Sequence, residues 1–440
     1  FGRQRATMGR AAVVVAASAA VAAAFYAYIK GARRRRTVLA VATLDSKGEE
    51  LAFVSERIRR LGCACVIVDV SCKDAPMAAP DVTREEVAAY HPDGAAKVLS
   101  ASDRGEAVTA MAAALSQFVT KCPFAFDAMI GIGGSGGTAL ITPAMQALPV
   151  GFPKLMVTTM ASGDVSGYVG CSDVTVMPSV VDVAGINAIS TSVLSNAAAA
   201  AAGMALQPKK AVAAGAKPML AMSMFGVTTP CCDAVRKALE AQYEVLTFHA
   251  TGAGGKAMEK LATSGVLAGV LDLTTTEVAD EVVGGVLTAG PERLDMLAAT
   301  ALPAVVSVGA LDMVNFGAAE SVPAQFKARK LHVHNAQVTL MRTTAEELRK
   351  IAGFLAAKLN KSTGPLTLLL PGGGLSLIDA PGMPFHDADA MEALFDELTK
   401  LVVQTPSRVV RRVAANINDA TFAEAAASAF VEMMAMAKAP

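Results

Sequence analysis

Tryptophan is missing from this 440-residue chain, which holds only five tyrosines and five histidines. Neither sign of charge is in excess, because Lys plus Arg and Asp plus Glu both number 39. A dedicated nucleic-acid binder needs a basic face interleaved with stacking aromatics, and this composition supplies neither. The seven cysteines (Cys63, Cys65, Cys72, Cys122, Cys171, Cys231, Cys232) are odd in number, contain no C-x-x-C pair and lie mostly in apolar runs. They read as reduced core residues in a reducing compartment, and no metal site is expected of them. A Walker loop, G-x-x-x-x-G-K-[ST], is also missing.

What is present is a folded composition: 53% hydrophobic, 18% charged and 36 glycines. This length predicts two domains. The first 36 residues stand apart, with arginines and no acid. Ala11 to Ile29, AAVVVAASAAVAAAFYAYI, carries no charge and as a helix spans close to the ~30 Å hydrocarbon core. Tyr26 and Tyr28 stand at one end as interface anchors, followed by Lys30 and Arg33 to Arg36, against Arg3, Arg5 and Arg10 before the run. Residues 1–36 therefore read as a membrane anchor with a basic flank, or the remnant of a targeting sequence. The large domain is expected on the cytoplasmic, matrix or stromal side, with the mitochondrial inner membrane favoured. A cleaved signal peptide and an alanine-rich core helix are the competing readings.

Beyond Arg36 the pattern alternates. TVLAVATL from Thr37, CACVIVDV from Cys63, FDAMIGI from Phe126 and KLMVTTM from Lys154 are apolar runs of buried-strand length, separated by helical periodicity. LQPKKAVAAGAKP breaks the rhythm, which then restarts with MLAMSMF, YEVLTFHA, GVLAGVLDL, PAVVSVGAL and PLTLLLP. The expectation is α/β: two Rossmann-like domains with mainly parallel sheets, residues 37–206 and 217–440, preceded by one N-terminal transmembrane helix. In each half the second strand starts about 25 residues after the first, a hint of duplication.

Open parallel sheets bind ligands at the carboxyl ends of their strands. The first strand leads into TLDSKGE, where Thr43, Asp45 and Lys47 are candidates; a lysine in a first helical turn opposes the dipole unless an anion neutralises it. Asp69 ends the second strand, where dinucleotide folds grip a ribose hydroxyl. The third strand opens GIGGSGGT, with five glycines from Gly131 to Gly137. A tight turn needs one or two. Backbone N–H groups of Gly133, Gly134, Ser135, Gly136, Gly137 and Thr138 can instead converge on a phosphate at the helix N-terminus. Thr158, Thr159 and Ser162 follow the fourth strand as a wall for base, ribose or phosphate. In the second half His249, Gly254, Gly255 and Lys256 lie in HATGAGGK, which can hold an anion. Asp312 and His386 are candidate acids or bases for a small molecule there. His332 and His334 would share a strand face but have no third metal ligand at a recognisable spacing.

The runs ATLDSKGEEL, GIGGSGGT, TTMASGD, SDVTVMPSVVDVAGIN, FHATGAGGKAMEKL, GALDMVNFG and PGGGLSLID together resemble one family, over about Thr37 to Met434. It is the largely uncharacterised bacterial, fungal and plant family that includes the ATP-binding N-terminal region of the tomato protein conferring resistance to tomato mosaic virus. The resemblance implies two α/β subdomains, a tendency to dimerise and ATP in the first subdomain; Mg2+ is expected with the phosphates, near Asp45 or Asp164. By motif it carries the contacts to Thr43, Asp45 and Lys47, to Gly133 to Thr138, and to Thr158 to Ser162. Three readings follow: a membrane-tethered ATP-binding protein, as a homodimer or part of a larger complex; an enzyme-derived structural subunit of an organellar membrane complex; and a dinucleotide oxidoreductase. The third is favoured by Asp69 and disfavoured by a loop that reads G-x-G-G-x-G-G.

Overall fold

The computed structural model describes residues 35–101, 103–208 and 215–436. The expected anchor, Ala11 to Ile29, lies outside the described residues, and a single N-terminal transmembrane helix finds no support among them. The chain divides into two compact units, residues 1–210 and 211–440.

In the first unit, β1 (Thr37–Ala42), β2 (Ala64–Asp69), β3 (Ala128–Gly133), β4 (Lys154–Thr158) and β5 (Thr175–Pro178) form one sheet in the order β2-β1-β3-β4-β5. Every pairing is parallel. The continuous apolar runs form β1 and β3 because both sheet faces are covered: each is buried throughout. β5 was not expected. It is an edge strand of four residues ending in proline and is half-exposed, so it gives no buried-strand signal. The helix Ala188–Leu206 starts where Asn187 caps it and lays Ala197, Ala198, Ala201, Ala202 and Ala205 against the sheet. By length and composition it is the one described helix able to cross a membrane. Its small side chains instead let it approach the strands of this core.

In the second unit, β6 (Met219–Met224), β7 (Glu244–His249), β8 (Leu267–Thr274), β9 (Ala304–Gly309), β13 (Leu366–Pro371) and β14 (Arg408–Val413) form a parallel sheet ordered β14-β13-β9-β8-β6-β7. Between β9 and β13 the chain adds β10 (Met313–Phe316), β11 (Leu331–Asn335) and β12 (Val338–Arg342), an antiparallel sheet that hydrophobic runs did not announce. Both parallel sheets flank their first strand with the second on one side and the third on the other, as a duplication would leave them. The strand order therefore reverses beside β1 and beside β6, and such switch points open crevices at the carboxyl ends of the strands. The seven cysteines form no disulfide, and burial pushes the thiols of Cys65, Cys72 and Cys122 up to about 11.

Candidate functional site

The glycine run lies where the switch-point rule puts a ligand. β3 ends at Gly133, and the helix Ser135–Ala147 begins with Gly134 as its cap. Two glycines serve packing. A Cβ on Gly131 would lie 2.7 Å from Met156 Sδ and 2.8 Å from Ile141 Cγ2, and one on Gly133 would lie 2.9 Å from Gly137 Cα. Gly134 and Gly136 are different: an added Cβ would meet nothing nearer than 3.8 Å. Their missing side chains leave the helix end open.

Among the described residues, no side chain closes that helix end. Gly134 offers no side-chain cap and the first turn holds no acid. Thr138 N–H donates to the Gly134 carbonyl (2.9 Å), while the N–H groups of Ser135, Gly136 and Gly137 have no partner among the described residues. Five other helices close this end with a side chain, from Thr83, Asp103, Asn187, Thr344 and Asp387, while the helices that start at Leu44, Thr229, Ala253 and Thr276 also lack a side-chain cap. Beside the open end, Gly134, Ser135, Thr158, Thr159, Ser162 and the segment Pro178 to Asp182 line a cleft of about 510 Å³. This is within the usual size of small-molecule sites.

The predicted residues divide by position. Thr138 and Thr158 are buried and share a hydroxyl contact of 2.6 Å, with Thr138 Oγ1 also within 2.7 Å of the Gly134 carbonyl. They fix the loop, while Thr159 and Ser162 face the cleft. Thr43 pairs with Ser46 (3.0 Å), and Asp45 N–H donates to Ser71 Oγ (2.9 Å) at the end of β1. Lys47 donates from Nζ to the Val183 carbonyl, and Glu50 accepts from Gly185 N–H (2.7 Å). The two side chains tether the segment just beyond the cleft wall. Asp69 is buried, and its Oδ1 accepts from Leu44 N–H, Ser71 N–H and Ser71 Oγ. It is turned into the fold and holds the β1 loop, and it is not among the residues that line the cleft.

Two features escaped the sequence reading. Arg104, first residue of the helix Arg104–Lys121, is exposed, and its Nη2 would lie 3.8 Å from a Cβ on Gly136. It makes no ion pair among the described residues. A guanidinium and an uncapped helix N-terminus are both positive, so their convergence is favourable only with an anion between them. No local motif marks Arg104; packing of its helix beside the glycine helix brings it there. Second, Gly133 to Gly137 fits the G-x-S-x-G pattern of a serine nucleophile elbow. Ser135 does not have the positive φ of a strained elbow, and the unit's one histidine, His91, accepts from its neighbour Asp93 N–H through Nδ1. No triad forms.

In the second unit the other glycine loop is already occupied. Glu277 Oε1 accepts from Gly252 N–H (2.6 Å) and Gly255 N–H (3.0 Å). A Cβ on Gly255 would lie 2.1 Å from Glu277 Oε2, and one on Gly254 would lie 1.7 Å from the His249 carbonyl. Gly252 and Gly255 admit the protein's own carboxylate where an external anion was expected. Lys256 is exposed, and His249 stacks on Phe225. Glu277 also pairs with Arg293 (2.8 Å), which Asp272 grips through two oxygens (2.6 and 2.8 Å) and Glu259 joins at 3.1 Å. Burial works against the Arg293 charge, but these carboxylates hold it well above its ordinary value.

Asp312 and His386 do come together, around Asp379 and Arg342. Asp312 is fully buried, accepts from Ser376 Oγ (2.8 Å) and leaves Oδ1 without a partner. Burial, and then the charge of Asp379, push its carboxyl up to about 7. Arg342 lies 3.5 Å from Asp379, whose main-chain carbonyl is 3.1 Å from His386 Nδ1. His332 and His334 sit on β11, where the His332 ring packs against Phe385. Among the described residues, no three His, Cys, Asp or Glu side chains are grouped to hold a metal.

Comparisons with known proteins bear on both units. The model of the uncharacterised protein family (UPF0261) N-terminal domain matches residues 36–210, and that of its C-terminal domain matches residues 217–434. A UPF0261 protein of Rhizobium meliloti is 49% identical over 397 residues, 90% of this chain and 98% of that protein. The ToMV resistance protein Tm-1(GCR237) of Solanum lycopersicum is 42% identical over 418 residues, 90% of this chain and 55% of the tomato protein. Among solved structures, the UDP-N-acetylglucosamine 2-epimerase of Rickettsia bellii covers 62% of this chain and 78% of its own, at 10% identity and a TM-score of 0.22. That likeness is too distant to carry functional meaning.

Proposed function

The chain belongs to the uncharacterised protein family UPF0261, and we propose that its first unit is an ATP-binding domain with the phosphates at the Gly131 to Thr138 loop. One observation carries the reading: three unpartnered N–H groups at an uncapped helix start open beside a hydroxyl-lined cleft at a strand-order reversal. The N–H groups of Ser135, Gly136 and Gly137 receive phosphate oxygens, and Arg104 supplies the cation that a Walker lysine supplies elsewhere. Thr159 and Ser162 offer hydroxyls to ribose or phosphate. Lys47 positions the cleft wall from behind. Magnesium would be held mainly by phosphate oxygens and water, with Asp45 as the carboxylate at the end of β1.

Titration calorimetry of Mg-ATP into the full chain, beside Gly136→Asp, tests this. An aspartate there has open space, lies beside Arg104 and suits a helix N-terminus, so the variant folds while its carboxylate takes the phosphate position. Binding by the parent and none by the folded variant is the expected result. A folded parent that gives no heat with Mg-ATP refutes the reading and favours the structural-subunit alternative.

The same proposal includes a membrane tether at Ala11 to Ile29, supported by the uncharged run and its basic flank. Alkaline carbonate extraction checks it: the full chain stays with the membrane pellet, and release into the supernatant removes the tether from the proposal. Asp312, with its unpartnered oxygen, is our candidate acid or base for any small-molecule chemistry of the second unit.

A further inference from the structure

Val180 carries two unfavourable features at one position. It is 77% exposed, so its apolar side chain gains nothing from burial. It also has φ 67°, in the left-handed region that β-branched residues avoid. The conformation is built in. Val181 N–H donates back to the Ser179 carbonyl (2.8 Å), closing a three-residue turn with Val180 at its centre. Ser179 Oγ donates to the Val181 carbonyl (2.7 Å), and Ser179 N–H donates to the Thr158 carbonyl (3.0 Å), fastening the turn to the end of β4. Glycine would hold this turn without strain. A valine kept there needs a reason outside the fold.

The cleft suggests that reason. Its lining combines three kinds of surface: open N–H groups at Gly134 and Ser135, hydroxyls at Thr158, Thr159, Ser162 and Ser179, and an apolar group of Pro178, Val180 and Val181 that ends at Asp182. Phosphate, ribose and base make the same three kinds of demand. We propose that Val180 is the specificity-determining contact for the base, an apolar platform held in a strained turn so that the flat face of a nucleobase covers it. This rests on the nucleotide reading above. Without that platform the N–H groups and Arg104 recognise charge alone, and the hydroxyls of Thr159 and Ser162 do not tell one base from another.

The experiment titrates the full chain with Mg-ATP and with Mg-tripolyphosphate, and repeats both with Val180→Gly and Val180→Asn, which tolerate positive φ. The parent should bind ATP at least about 10-fold more tightly than tripolyphosphate. Each variant should lose about 5-fold or more in ATP affinity. Tripolyphosphate affinity should stay unchanged, and the melting temperature of Val180→Gly should not fall. Equal affinity of the parent for the two ligands overturns the proposal while leaving the anion site standing, as does unaltered ATP binding by both variants. A parent that binds neither ligand overturns the nucleotide reading, and this inference with it.

Discussion

Single alanine substitutions along the glycine run should separate the glycines that build the fold from those that leave room for a ligand. In Gly133→Ala the new Cβ would lie 2.9 and 3.0 Å from Gly137 Cα and C. Those are backbone atoms in the first turn of a helix packed on its sheet, so the helix start must move. Overpacking of this kind costs about 1–3 kcal/mol. Gly131→Ala meets Met156 and Ile141 and belongs in the same class. At Gly136 the sole neighbour within 4 Å is the flexible end of Arg104, at 3.8 Å. Alanine there should be neutral or stabilising by up to ~1 kcal/mol, because glycine is a poor helix residue. For a unit of this size each kcal/mol moves the melting temperature by about 2–4 °C. Thermal unfolding should therefore show Gly133→Ala and Gly131→Ala several degrees below the parent, with Gly136→Ala at or above it. Gly133→Ala as stable as the parent would refute the packing argument. A large loss in Gly136→Ala would show that the open position belongs to the fold and not to a ligand.

Other outcomes follow from the same geometry. Arg104→Gln should weaken Mg-ATP binding by about 10-fold, since a hydrogen bond to a charged group contributes roughly 1.5–3 kcal/mol, and should leave the melting temperature unchanged; unaltered affinity would remove Arg104 from the site. Gly255→Ala forces a Cβ onto a Glu277 carboxylate held by two N–H groups and Arg293, so chemical denaturation should show a loss of about 3 kcal/mol or more. Arg293→Ala leaves three carboxylates around an empty centre and should cost at least about 3–5 kcal/mol, read as collapse of the unfolding midpoint. Burial pushes both Asp312 and Asp280 up to about 7, against an ordinary carboxylate near 4. The folded state then binds protons that the unfolded chain has released. Their contribution is fully present below about pH 4 and is lost as pH rises through about 7. Denaturation midpoints from pH 5 to 8 should decline less steeply in Asp312→Asn than in the parent; equal slopes would contradict the assignment.

The relatives constrain these experiments without replacing them. The Rhizobium protein matches over nearly its whole length, whereas the tomato protein extends well beyond the matched region. Its name speaks of resistance to a virus, a property of the tomato protein. What this chain offers for test is a cleft, a helix end without a cap and a cation above it.

Periodicity and motif determined much by themselves. Short unbroken apolar runs such as those of β1 and β3, alternating with stretches of helical periodicity, read as strands covered on both faces, so a parallel α/β fold was legible at once. The glycine run and the threonines after β4 were equally legible as strand-end residues, because a strand-to-helix turn is a local feature. β14, RVVRRV, and the short edge strand β5 were not, since a half-exposed edge mixes polar and apolar residues as a loop does. Tertiary structure alone decided which strand-end residues meet an open cleft. It turned Asp69 inward, gave Lys47 to the Val183 carbonyl and placed the remote Arg104 over Gly136. It also decided that one glycine loop stays open while the other admits Glu277, 22 residues beyond Gly255. Sequence records where backbone can be approached closely; what does the approaching depends on contacts between segments far apart in the chain.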